Sequence, residues 1–151
     1  MSNNGKIFVQ IASYRDPELL HTLKDCLTNA ENPDNLVFSI AWQHSQEDEW
    51  DNLDEYKNDP RFKIIDINYQ RSKGVCWARN LLQQQYDNEE YTLQLDSHHR
   101  FIKNWDTELI SELKKLQERG YPKPMLTGYI PHYEPGSDYS SRESVPWRMN
   151  F

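Results

Sequence analysis

The chain has 151 residues, 36% of them apolar and 13% aromatic, which suffices for one packed domain and is too aromatic for a disordered polypeptide. Its 17 Lys and Arg against 24 Asp and Glu leave a net charge of −7, excluding the broad basic face that a nucleic-acid or anionic-membrane binder requires. Any anionic ligand has to be held by a local cluster of cations.

Residues 1–5 are polar and expected to be disordered. Neither they nor the seven residues after them make a hydrophobic stretch of signal-peptide length, and no later run approaches a membrane span. The expectation is a cytoplasmic protein without a membrane span. Cys26 and Cys76 stand fifty residues apart without zinc-site spacing, so both are expected to be free thiols.

In chain order, Lys6–Ala12 is a β-branched and aromatic run that reads as a buried strand. Asp16 follows as a candidate helix N-cap with Pro17 at the first helical position, and Leu19, Leu20, Leu23 and Leu27 recur on one helical face. Asn32–Asn35 breaks this helix, and Leu36–Trp42 is a second strand. Residues 47–59 hold seven acids offset by Lys57 alone, which reads as a solvated helix or loop. Phe62–Ile67 is a third strand, Gly74–Tyr86 a helix and Tyr91–Asp96 a fourth strand. Trp105–Arg119 is helical through Leu109, Ile110, Leu113 and Leu116, with Gly120 as its stop. Lys123–Gly128 reads as a fifth strand and 129–151 as an irregular tail. Strands alternating with helices require crossover connections, so the class is α/β, with a mainly parallel sheet and helices on both faces.

In such a sheet a ligand sits outside the carboxyl ends of the strands. Asp96 lies at one of these ends, and His98, two residues on along an extended segment, points the same way. A carboxylate oxygen and an imidazole nitrogen converging on one cation suit Mn²⁺, with Mg²⁺ second, and leave positions for phosphate oxygens and water. The alternative is that Asp96 caps the following turn and His98 is an ordinary surface histidine.

A second cluster is basic: Arg61, Lys63, Arg71, Lys73 and Arg79 stand against one acid, Asp66, in an otherwise acidic chain. Lys73 and Gly74 begin a helix, whose free amides and dipole favour an anion, and Arg79 follows on it. For Arg61 and Lys63, ion pairing with the acids of 47–59 is the competing reading. At the end of the first strand, Ser13, Tyr14, Arg15 and Asp16 form a third candidate element. Tyr14 offers a face to a base, and Arg15 or Asp16 a hydrogen bond to ribose or phosphate, while Asp16 also serves as a cap. Neither a hydrolase triad nor a Gly-x-x-x-x-Gly-Lys or Gly-x-Gly-x-x-Gly loop is present, which disfavours triad hydrolases, Walker-type ATPases and dinucleotide dehydrogenases.

Ile11–Leu19 (IASYRDPEL), Gly74–Arg79 (GVCWAR), Glu89–Phe101 (EEYTLQLDSHHRF) and Trp105–Asp106 resemble, in order, the N-terminal half of the hydroxyproline and mucin-type α-N-acetylglucosaminyltransferase family. The likeness runs from about Lys6 to Tyr133. It implies a GT-A fold over residues 6–128 in which Asp96 and His98 hold Mn²⁺ on the diphosphate of a UDP-sugar, with Tyr14, Arg15 and Arg79 near the nucleotide and Ser97 inside the same motif. It further implies retaining transfer of GlcNAc to a hydroxyl acceptor on a protein or glycan. Family members continue well past the position of Phe151, so the chain is expected to be C-terminally truncated and to lack acceptor contacts and a further metal ligand. A nucleotide-sugar-binding module without transfer activity is the alternative.

Overall fold

The computed structural model describes residues 5–128 and 132–135. Contacts divide the chain into two compact units, Met1–Thr107 and Glu108–Phe151. The first holds four strands, β1 (Ile7–Tyr14), β2 (Leu36–His44), β3 (Phe62–Asn68) and β4 (Tyr91–Asp96), and two helices, α1 (Leu19–Asn29) and α2 (Val75–Gln83). A third helix, α3 (Trp105–Glu118), begins at the end of the first unit and supplies the regular structure among the described residues of the second.

All strand pairings are parallel and the order is β3-β2-β1-β4. The class is therefore α/β, a parallel sheet flanked by helices. β1 is central, and Phe8, Val9 and Ile11 on it are fully buried, as expected of a strand covered on both faces. On one face Ala12 of β1, Ala41 of β2 and Ile65 and Ile67 of β3 pack with Trp77, Ala78, Leu81 and Leu82 of α2. The small alanines leave room for the helix to lie close. On the opposite face Phe38 stacks on Phe62 with ring centroids 4.5 Å apart, and Tyr56 stacks on Phe62 at the same spacing.

α1 buries Leu19, Leu23 and Cys26 completely. Its polar groups hold the segment that follows β4: Thr22 Oγ1 donates to the Ser97 carbonyl at 2.7 Å, and Asp25 Oδ2 accepts from the Phe101 amide at 2.5 Å. Trp105 Nε1 donates to the Cys26 carbonyl at 2.9 Å, while the two oxygens of buried Asp106 accept from the amides of Glu31 and Asn32 at 2.8 and 2.9 Å. The Trp-Asp pair is thus a structural clamp between the end of α1 and the start of α3.

Four sequence expectations need correction. β1 and β2 each run two residues further than the apolar runs, because polar Ser13 and Gln43 remain in register and buried. α1 begins at Leu19 rather than Pro17, since Pro17 and Glu18 form a turn held by Asp16. The acidic segment 47–59 is a loop of turns, as expected, with Glu47, Glu49, Asp54 and Glu55 exposed, but it is not solvated throughout: Asp48, Asp51, Leu53 and Tyr56 are buried, Asp48 on Arg15 and Asp51 on Trp42. Finally, Lys123–Gly128 forms no strand; Pro122 and Pro124 lack the amide hydrogens a ladder needs, and Met125 is 83% exposed. The tail at 129–151 lies outside the described residues except for 132–135. No helix among the described residues is long and apolar enough to cross a membrane.

Candidate functional site at the carboxyl ends of β1 and β4

With order β3-β2-β1-β4, connections leave β1 towards β2 on one side and β4 joins on the other. The crevice between the carboxyl ends of β1 and β4 is therefore the switch point of the sheet, where open α/β sheets take their ligands. Ala12 of β1 pairs with Asp96 of β4, so residues 13–16 and 96–98 leave the sheet side by side.

Asp16 joins the two segments. Its Oδ1 accepts from the Glu18 amide at 2.9 Å, and its Oδ2 accepts from Ser97 Oγ at 2.6 Å and lies 2.8 Å from His98 Nδ1. Burial works against the ionised form, but the hydrogen bonds from Ser97, His98 and the Glu18 amide outweigh it and hold the carboxyl below the usual aspartate range. His98 is exposed on the rim, whereas Ser97 is buried and ties the turn back to Thr22. His99 is half-buried, its Nδ1 lies 3.1 Å from the Asp96 carbonyl, and burial lowers its pKa.

Asp96 is half exposed and takes Arg79 Nη2 on its Oδ1 at 3.1 Å. Arg79 Nε is buried without a partner among the described residues. Lys73 and Arg71 are exposed next to Gly74, whose φ of +92° opens α2 and is a conformation that favours glycine. Neither cation has an ion-pair partner among the described residues. The other two basic residues are committed elsewhere: Arg61 to Asp59 at 2.7 Å and to the Pro33 carbonyl, Lys63 to the Gln85 carbonyl at 2.8 Å and to Glu89.

At the end of β1, Tyr14 is 54% exposed and meets Tyr69 edge-on, with ring centroids 6.3 Å apart. Arg15 has φ +45°, a left-handed conformation uncommon outside glycine. It is fixed there by its amide bond to the Gln43 carbonyl, by two 2.7 Å bonds to Asp48, and by its guanidinium lying 4.6 Å from the Tyr69 ring centre. Arg15 holds the Asp48 carboxyl below its ordinary range. Ser13 is fully buried, its carbonyl accepting from Gln43 Nε2 at 2.9 Å, and offers a ligand no exposed surface in this arrangement.

The structure joins Asp16, Ser97 and His98 at the ends of β1 and β4, pairs Asp96 with Arg79 on the α2 side of the sheet, and sets Tyr14 and Arg15 against Tyr69. It adds Asp48 and Tyr69, which no local spacing announces. Among the described residues no group of three or more His, Cys, Asp or Glu side chains is set to hold a metal. Asp96 nevertheless keeps Oδ2 clear of Arg79, and His98 keeps Nε2 clear of Asp16. A carboxylate oxygen and an imidazole nitrogen are donor types whose chemistry suits Mn²⁺.

The chain matches the model of the glycosyltransferase (GlcNAc) family over residues 6–61 and 52–149. It belongs to that family. No curated protein and no solved structure matches the chain. Membership in the GlcNAc glycosyltransferase family gives the chain a role in glycosyl transfer, from a sugar donor to an acceptor.

Proposed function

We propose that the chain carries the donor site of a metal-dependent N-acetylglucosaminyltransferase of GT-A type, related to the hydroxyproline and mucin-type enzymes, that takes GlcNAc from UDP-GlcNAc to a hydroxyl acceptor. The observation that supports this most is the hydrogen-bonded junction of the β1 and β4 ends at the switch point, through Asp16, Ser97 and His98. Asp96 and His98 would hold the dication. When bound, the dication stabilises the negative charge that develops on the leaving diphosphate.

Lys73, Arg71 and the first amides of α2 receive phosphate oxygens, because these cations are exposed and unpaired beside a helix N-terminus. Arg79 adds a further positive charge next to Asp96. Tyr14 and Tyr69 supply aromatic surface for the base, and Arg15, immobilised by Asp48, supplies fixed donors at its edge.

Thermal unfolding with UDP-GlcNAc, with and without Mn²⁺ and beside UDP-Gal, UDP-Glc and GDP-mannose, tests the reading. Ligand at a hundred times its Kd adds about 2.7 kcal/mol of stability. Stabilisation by UDP-GlcNAc that requires Mn²⁺ and disappears in Asp96→Ala is the expected result. The absence of a shift with every nucleotide sugar, or an undiminished shift in Asp96→Ala, overturns it.

A further inference from the structure

The donor loop at the end of β1 contains an acid, Asp16, whose two oxygens are both occupied by protein. Oδ1 holds the Glu18 amide at 2.9 Å, and Oδ2 holds Ser97 Oγ at 2.6 Å and His98 Nδ1 at 2.8 Å. Its side chain is 17% exposed, against 58% for His98. Three of the roughly four acceptor positions of the Asp16 carboxylate are therefore taken by protein, which places it behind His98 rather than facing a ligand.

We propose that Asp16 is a positioning residue: its carboxylate fixes the proton of neutral His98 on Nδ1 and so turns Nε2, with its lone pair, toward the cation shared with Asp96. This inference rests on the metal-dependent reading above. An ionised carboxylate accepts hydrogen bonds and has none to give, so at 2.8 Å the hydrogen between His98 and Asp16 lies on the imidazole. The neutral ring then carries its acceptor on Nε2. Carboxylates that hold the second nitrogen of a metal-bound histidine orient the ring and raise its basicity in many metal sites. Ser97 and the Glu18 amide keep Asp16 itself from rotating, and Ser97 is in turn held by α1 through Thr22. Asp16 and His98, 82 positions apart in sequence, are thus joined directly without any cation.

Two measurements on the whole chain test this. In metal-free protein at a pH where imidazole is neutral, long-range ¹H–¹⁵N spectra of the His98 ring should show Nδ1 protonated and Nε2 bare; Asp16→Ala should shift the ring toward the Nε2–H form. Titration with Mn²⁺ alone, followed by the electron paramagnetic resonance of the free ion, should show binding weakened about 10- to 100-fold in Asp16→Ala. If Asp16→Ala does not fold, Asp16→Asn preserves the side-chain volume and weakens the pull on Nδ1–H, and both readouts should move the same way. A wild-type His98 protonated on Nε2, Mn²⁺ affinity unchanged by the substitutions, or no Mn²⁺ binding by the wild type overturns the inference. The outcomes separate from those of the donor reading: UDP-sugar stabilisation with an Nε2–H ring overturns the role of Asp16 alone, whereas an Nδ1–H ring with Mn²⁺ bound but no response to any UDP-sugar overturns the donor reading alone.

Discussion

Arg79 Nη2 lies 3.1 Å from Asp96 Oδ1, so a helix that follows β3 supplies a counter-charge to the carboxylate at the end of β4. The pair is too exposed to matter much for stability, and breaking it should cost less than about 1 kcal/mol. Its removal separates two roles. In Arg79→Ala, Mn²⁺ alone should bind at least as tightly as in the wild type, because Asp96 loses a competitor. UDP binding in the presence of Mn²⁺ should weaken by about tenfold or more, the value of a lost charge-assisted contact to phosphate. Calorimetric titration with each ligand checks both, and unchanged UDP affinity would remove Arg79 from the site.

Asp51 is buried, with Oδ1 accepting from Trp42 Nε1 at 2.7 Å and Oδ2 without a partner among the described residues. Burial raises its pKa from 3.8, and the indole hydrogen bond only partly opposes the shift. A carboxyl raised on folding favours the folded state fully below its unfolded pKa and loses that contribution as pH rises through the folded value. At neutral pH Asp51 is therefore a net cost. Asp51→Asn keeps the acceptor for Trp42 and removes the buried charge, so its Tm at pH 7 should exceed that of the wild type. The difference should shrink as pH falls towards 3.8. Melting curves across this range provide the check.

Asp106 tests whether the Trp-Asp pair is structural. Truncation in Asp106→Ala removes the acceptor of the Glu31 and Asn32 amides, at a cost of about 0.5–1.5 kcal/mol for each lost hydrogen bond. Urea unfolding should show the loss, while the Mn²⁺ affinity of the folded fraction stays as in the wild type.

Cys26 is buried and burial pushes its thiol well above the ordinary range, whereas Cys76 is exposed near the start of α2; both are free. A disulfide reagent should modify one thiol per chain under native conditions and the second only on unfolding. Rapid modification of both in the folded protein would contradict the packing of α1.

The β4 boundaries and the α/β class follow from local pattern, because a covered parallel strand reads as a short apolar run and periodic helices separate such runs. The strand-end rule then picks out Asp96 and His98 without knowledge of any partner. Pairing across the chain leaves no such trace. Asp48 and Arg15 are 33 residues apart, and within seven acids the one that is buried on a guanidinium looks like its neighbours. Asp16 before Pro17 reads as a helix N-cap, but it holds the turn ahead of α1, whose N-cap is Glu18, and its contact with His98 depends on β4 lying beside β1. Lys123–Gly128 shows the opposite failure: two apolar residues between prolines and glycine imitate a strand that the missing amide hydrogens forbid.

The position of β4 has a consequence for how the protein acquires its activity during synthesis. β1, β2 and β3 pair in the order in which they are made, but the free edge of β1 waits for the last strand. Until Tyr91–Asp96 docks, that edge stays open to pairing with another chain. The acid of the donor loop likewise lacks its histidine until then. On the donor-site reading proposed above, nucleotide binding should arise in the same step that seals the sheet, making ligand occupancy a reporter of that step, and chains that lack β4 should be prone to associate.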